Sequence, residues 1–249
     1  MSITTAPSSI FAVQRAGDRF HAEHGWLQAR HSFSFADYHD PNNMGWGALR
    51  VFNDDTIAAA QGFPPHPHRD MEIVTYVLSG SLEHKDSLGN HGVVHAGGVQ
   101  FMSAGTGVLH SEFNGSQSEP LHLVQMWVIP GKAGVAPLYG QADFTTGDRL
   151  DQWLTVASGE TGVEAPITLT QSATLRVSRL ENAELRHPFN AGRYGFLFVA
   201  DGSVAVHGGS QQEQTLRAGD ALRTYDIAAI ELQGTGEIVF WDVARLDAR

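Results

Sequence analysis

From Glu72 to the C-terminus, turn residues cut the chain into short apolar runs, and this punctuation limits the fold more than any other feature. Residues 73–78 are β-branched and apolar and stop at Ser79 and Gly80. Residues 81–84 return to a turn at 86–90. Runs at 99–102, 108–112 and 121–129 follow, separated by the turn at 104–107 and stopped by Pro130 and Gly131. Helical periodicity is weak throughout, and many short strands at this spacing predict a sandwich or barrel. Upstream, the pattern predicts a lead-in strand within residues 1–20, a half-buried strand over 30–41 where Phe33 and Phe35 alternate with serines, and a strand and turn over 45–55.

The second half repeats this style. Residues 168–180 alternate, 194–200 are apolar, Asp201 and Gly202 make a hairpin turn, and 203–206 return. The stretch 216–222 is similar to 94–100, and Ile227 to Leu232 then stand where His110 to Glu112 stand in the first half. The spacing reads as an internal duplication whose second copy lacks the first copy's histidines. The turn-rich stretch between them holds Pro137, Gly140, Gly147, Gly159 and Gly162. The expected division is an N-terminal domain over 1–140, a linker over 141–165 and a degenerate C-terminal domain over 166–249.

A chain of 249 residues with 42% hydrophobic content has room for one large β domain or two smaller ones, each with its own core. The net charge of −11, with no basic cluster, argues against a direct nucleic-acid surface. Absent cysteine excludes disulfides and thiolate sites, so any metal must sit on His and carboxylate. Residues 1–7 show no basic region followed by an apolar core, and no run is long and apolar enough to span a membrane. The expected location is cytoplasmic.

Two pairs carry the chemistry. His66 and His68 are two apart, as are His110 and Glu112. On a strand such residues share a face, so two facing pairs put three imidazoles and a carboxylate around one point. That set suits Fe(II), Mn(II), Ni(II), Co(II), Cu(II) or Zn(II) and leaves positions open for other molecules. Glu72 shares the parity of His66 and His68 and competes with Glu112 for the carboxylate role; spacing does not choose between them. His21, His24, His39 and His95 read as surface or turn residues, His31 and His84 as hydrogen-bonding groups, and His187 and His207 as structural. Phe52, Phe63, Met102, Met126 and Trp127 read as core, any of them able to wall a flat apolar pocket.

Gly62, His66, His68, Glu72 and Gly80, followed by 96–98, His110 and Asn114, resemble the two motifs of the cupin superfamily. More narrowly, the segments 30–35, 49–55, 66–72, 83–90 and 102–112 resemble the pirins, in the bacterial pirin-like quercetinase branch. The likeness spans most of residues 25–140; the second half is similar only in pattern. It implies an all-β bicupin, two tandem jelly-roll-like β-barrels with metal in the N-terminal barrel only. It implies His66, His68, His110 and Glu112 as ligands, with Glu72 as a hydrogen-bond acceptor behind them. It implies one divalent metal, Fe(II) first, then Ni, Co, Mn, Cu or Zn. The implied activity is dioxygenation of a flavonol such as quercetin, with loss of carbon monoxide and with Glu112 or Glu72 as base. The implied alternatives are a metal-binding regulator with a transcription-related protein partner, or a cupin acting on another small substrate. A monomer is expected.

Overall fold

Burial with period two builds the first half. In Val108–Asn114 the residues at 108, 110, 112 and 114 are buried while Leu109 and Phe113 are exposed, so the strand has one inward and one outward face. The computed structural model describes residues 9–209 and 212–246. Among these, strands dominate, and the two helices are single turns at Ala16–Asp18 and Thr146–Arg149. The reading of residues 1–7 as free of a leader falls outside the described residues.

A seven-stranded antiparallel sheet runs in the order Leu138–Ala142, Val99–Ser103, Glu72–Ser79, Leu121–Val128, Leu49–Ile57, Leu27–His31, Phe20–Glu23. A four-stranded antiparallel sheet runs Gly62–His68, Val108–Asn114, Ser81–Asp86, His91–His95. Leu82 and Val94 of the small sheet cluster with Leu27, Ala29, Ile57, Val77, Leu121 and Leu123 of the large one, which closes one end of a barrel. The strand predicted over 30–41 ends at His31. Beyond it Ser34 Oγ donates to the Asp40 carbonyl and accepts from the Asp40 amide, both at 2.8 Å, and Ala36 takes a φ of 48°. Side-chain bonding there replaces the ladder, and Phe33 still reaches the core.

The second half is organised on one long strand, Ala229–Val243. Its first part pairs with Glu184–Pro188 and Ser203–His207, and its last part with Ala173–Leu180 and Tyr194–Val199. The change of partner falls at Gly234 and Gly236, with φ of 151° and 150°. At Gly236 a Cβ would meet the Asp201 carbonyl at 1.9 Å, so the crossing needs glycine. Two strands from outside 166–249 join this sheet: Ile10–Gln14 pairs with Ala221–Tyr225, and Leu154–Ser158 pairs with Ala173–Leu180.

One core serves both halves. Phe33, Phe52, Val74, Tyr76 and Met126 from the first half pack with Leu175, Phe196, Phe198, Val239 and Trp241 from the second. The Trp241 indole N–H donates to Met126 Sδ at 3.0 Å. Polar ties also cross between the halves, one of them from Glu72. Glu72 Oε1 accepts from the Thr170 amide at 2.6 Å, and Oε2 from the Gln171 amide at 3.4 Å. Burial raises the Glu72 carboxyl, and these hydrogen bonds partly oppose the shift. Replacing Glu72 by alanine leaves those amides without their acceptor, at a cost of about 1–3 kcal/mol. The expected outcome is a lower melting temperature by about 2–4 °C per kcal/mol, with nickel(II) affinity unchanged, read by calorimetry and by metal titration.

Candidate metal centre

Two adjacent strands bring the histidines together. Gly62–His68 pairs antiparallel with Val108–Asn114, with His66 opposite His110 and His68 opposite Val108. The ligand atoms of His66, His68 and His110 lie within 4.8 Å of one another. Ring centroids are 4.4 Å apart for His66 and His110, 4.8 Å for His66 and His68, and 4.9 Å for His68 and His110. The register shifts between His110 and Glu112, opposite Pro64 and Pro65. The prolines are tolerated because Gly62–His68 is an edge strand. Gly62 lies so close to its neighbour that a Cβ would meet the Glu112 carbonyl at 2.2 Å.

Glu112 lies deeper, at 2% exposure, with its carboxylate within 4.8 Å of ligand atoms of His110 and His84. Its Oε1 accepts from Gln100 Nε2 at 2.6 Å and its Oε2 from Gln125 Nε2 at 2.8 Å. Both glutamines belong to a polar row across the large sheet, in which His31, Asn53, Gln125, Thr75 and Gln100 are successive cross-strand partners. Sequence reasoning missed this row. Its signal is a set of polar residues inside apolar strands, which acquires meaning only once the strand register aligns them.

Glu72 is not in the cluster. The parity that links it to His68 is broken by the turn at 69–71, where Asp70 takes a φ of 46° and its amide donates to the Gly105 carbonyl at 2.9 Å. Glu72 therefore starts a strand of the other sheet and turns to the Thr170 loop. The expected roles for it, as base or as acceptor behind the imidazoles, do not fit that placement.

Donor chemistry fits a divalent transition metal. Burial, reinforced by neighbouring imidazoles, lowers His110 to about 3 and His68 to about 4, so both rings are neutral with a lone pair at pH 7. His66 Nδ1–H donates to the Pro64 carbonyl at 2.8 Å, which leaves its Nε2 free. His110 Nε2 is buried without a protein partner. Three imidazole nitrogens and one carboxylate make a hard-to-borderline set with room for further ligands. A cleft of about 560 Å³ lies between the halves beside Tyr76, Arg149 and Glu237 and does not touch these histidines. An open cleft of about 510 Å³, lined by Pro67, His68, Arg69, Ser87 and Leu109, borders the cluster at His68.

Among the expected pocket residues, Trp127 meets the His68 ring edge-on at 4.8 Å and Phe63 lies 6.2 Å from His66. Phe52 and Met126 belong to the shared core, and Met102 packs with Ile73 and Val108. The second half repeats the local pairing without the chemistry. His187 opposite Ile230 stands where His66 faces His110, and Leu232 opposite Val206 stands where Glu112 faces His84. Ile230, Leu232 and Val206 are fully buried, and His187 is held by Asp242 at 2.8 Å.

The family model for pirin matches residues 12–128, and that for the quercetinase C-terminal cupin domain matches residues 155–240. A quercetin 2,3-dioxygenase of Escherichia coli K12 is 41% identical over 93% of this chain and 97% of its own length. This chain is a pirin. A pirin-like protein of Caulobacter vibrioides is 42% identical over 90% of this chain and 95% of its own. The structure of the E. coli bacterial pirin YhhW in complex with nickel(II) superposes with a TM-score of 0.86 at 40% identity, covering 95% of this chain and all of that one. The likeness covers both barrels, so this pirin is a bicupin. Among the described residues, no helix is long and apolar enough to cross a membrane.

Behind Glu112 this pirin buries Asp55, and one of its oxygens has no protein partner. Burial pushes Asp55 up to about 8; the charges of Asp54 and Glu112 add to this and Arg19 opposes it. A raised carboxyl binds its proton more tightly folded than unfolded, so stability is lost as pH climbs from about 4 to 8. The neutral isostere Asp55→Asn escapes that loss. Its melting temperature relative to the natural chain should rise steadily between pH 5 and pH 8; a pH-independent difference would show Asp55 already ionised in the fold.

Proposed function

We propose that this pirin is a metal-dependent dioxygenase that opens the heterocycle of a flavonol with O2 and releases carbon monoxide. The observation that carries the proposal is the cluster of His66, His68 and His110, with the carboxylate of Glu112, hydrogen-bonded on both oxygens, beside His110. The names of the relatives and the nickel(II) in a close structural neighbour support it. In this reading the expected first domain, 1–140, carries the chemistry and the second supports it, the second sheet reaching beyond the expected 166–249 to take in Ile10–Gln14 and, from the expected linker 141–165, Leu154–Ser158.

His66, His68, His110 and Glu112 would hold the ion, with Fe(II), Ni(II), Co(II), Mn(II), Cu(II) and Zn(II) as candidates. When bound, the ion supplies a positive charge that favours an anionic flavonolate over its neutral form. Glu112 takes the proton of the 3-hydroxyl, a step that needs the acid within hydrogen-bond reach of the substrate. Gln100 and Gln125 keep its carboxylate from rotating away. Trp127 and Phe63 offer apolar edges beside the imidazoles for a planar aromatic ring. The two atoms of O2 then bond to C2 and C4 of the heterocycle, the C2–C3 and C3–C4 bonds break, and C3 leaves with the former 3-hydroxyl oxygen as carbon monoxide, leaving an ester and a carboxylate.

Anaerobic mixing of quercetin with the metal-loaded protein should move the flavonol band to longer wavelength, and admission of air should consume O2 and release carbon monoxide. His66→Ala and His110→Ala should each lose both responses by at least about tenfold. A loaded protein that binds quercetin but takes up no O2 would end the enzyme reading and leave that of a binding protein with a protein partner.

A further inference from the structure

His84 and Asp86 lie behind the metal centre and take no part in the chemistry proposed above. His84 is fully buried on Ser81–Asp86, the strand next to Val108–Asn114, with Glu112 as its cross-strand partner and Asp86 as that of His110. Asp86 is an acceptor on both oxygens. Oδ1 accepts the amides of Leu88 at 2.9 Å and Asn90 at 3.0 Å, and Oδ2 accepts Asn90 Nδ2 at 2.8 Å. His84 Nε2 reaches the same Oδ2 at 3.2 Å, and against a carboxylate it must be the donor. In a neutral ring His84 Nδ1 is then the bare nitrogen. It faces His110 Nδ1 at 3.5 Å. Two bare nitrogens would repel, so the proton on His110 sits at Nδ1 and its lone pair at Nε2, the buried atom without a protein partner.

We infer that Asp86 and His84 form a two-step relay that sets the tautomer of His110, making them positioning residues for the metal ligand. The inference rests on the metal-centre reading above. The relay is held in plane from outside: the Tyr139 ring stacks on His84 at 4.3 Å and 18°. Gly92, opposite His84, leaves the space for this; a Cβ there would meet Tyr139 Oη and Gln141 Oε1 at 2.2 Å. Each link is a lone-pair constraint, so the chain from carboxylate to ligand nitrogen has one consistent arrangement of protons.

Asp86→Asn tests the direction of the relay while keeping the shape. Its oxygen still accepts the Leu88 and Asn90 backbone amides, and once the Asn90 side chain turns its own oxygen inward, the new amide nitrogen donates both to it and to His84 Nε2. That puts the His84 proton on Nδ1 and drives the His110 proton to Nε2. Nitrogen-15 spectra of the metal-free full chain should show His110 protonated at Nδ1 in the natural protein and at Nε2 in Asp86→Asn. Nickel(II) affinity, measured by competition with a coloured chelator, should fall about 10–100-fold in Asp86→Asn and in His84→Phe. His84→Gln, whose amide oxygen accepts from His110 Nδ1, should stay near the natural affinity. Melting curves of the metal-free variants show that each is folded. A natural protein with His110 protonated at Nε2 overturns the relay, and so does an unchanged nickel(II) affinity in folded Asp86→Asn and His84→Phe. A natural chain that takes up no nickel(II) overturns the metal-centre reading instead, and the metal-free tautomer still decides the relay.

Discussion

A carboxylate inside a barrel must be fully hydrogen-bonded or it must give up its charge. Glu112 sits at that constraint, and much of the first half is arranged to meet it. Gln100 and Gln125 come from two strands of the large sheet, and the register of those strands decides that both amides point at the same group. The Trp127 indole N–H donates to Gln125 Oε1 at 3.2 Å, which turns the Gln125 amide nitrogen toward Glu112. Asp55, which has no such set of donors, takes the other course and holds its proton to a higher pH. The two acids differ in their donors, and it is Asp55, without them, that burial shifts upward.

The second half shows the same architecture freed from that constraint. Where the first barrel places His110, Glu112 and His84, the second places Ile230, Leu232 and Val206, and the interior closes as an apolar core. What the second half contributes is the large shared core around Trp241, Phe196 and Phe52 and the loop that receives Glu72. Fixing the large sheet from outside fixes the row of side chains on its inner face. The exchange of Ile10–Gln14 into the second sheet adds a covalent link to that packing.

Much was legible in the chain. Short strands, the duplication and the His pairs follow from period-two alternation and turn residues, which are local properties. Glu72 was misplaced for a local reason as well: parity holds only while a strand stays straight, and the turn at Asp70 resets it. His84 was read as a hydrogen-bonding group, and it is one, to Asp86; its approach to His110 depends on a strand pairing across 26 residues.

By itself the sequence determined the residue types that can hold a metal, their spacing on two strands, and the loss of those types in the second half. The tertiary structure alone decided which acid lies beside His110, which glutamines hold that acid and which nitrogen of His110 has no protein partner. Those outcomes depend on register between strands and on the facing of two sheets, and no periodicity within a single strand encodes either.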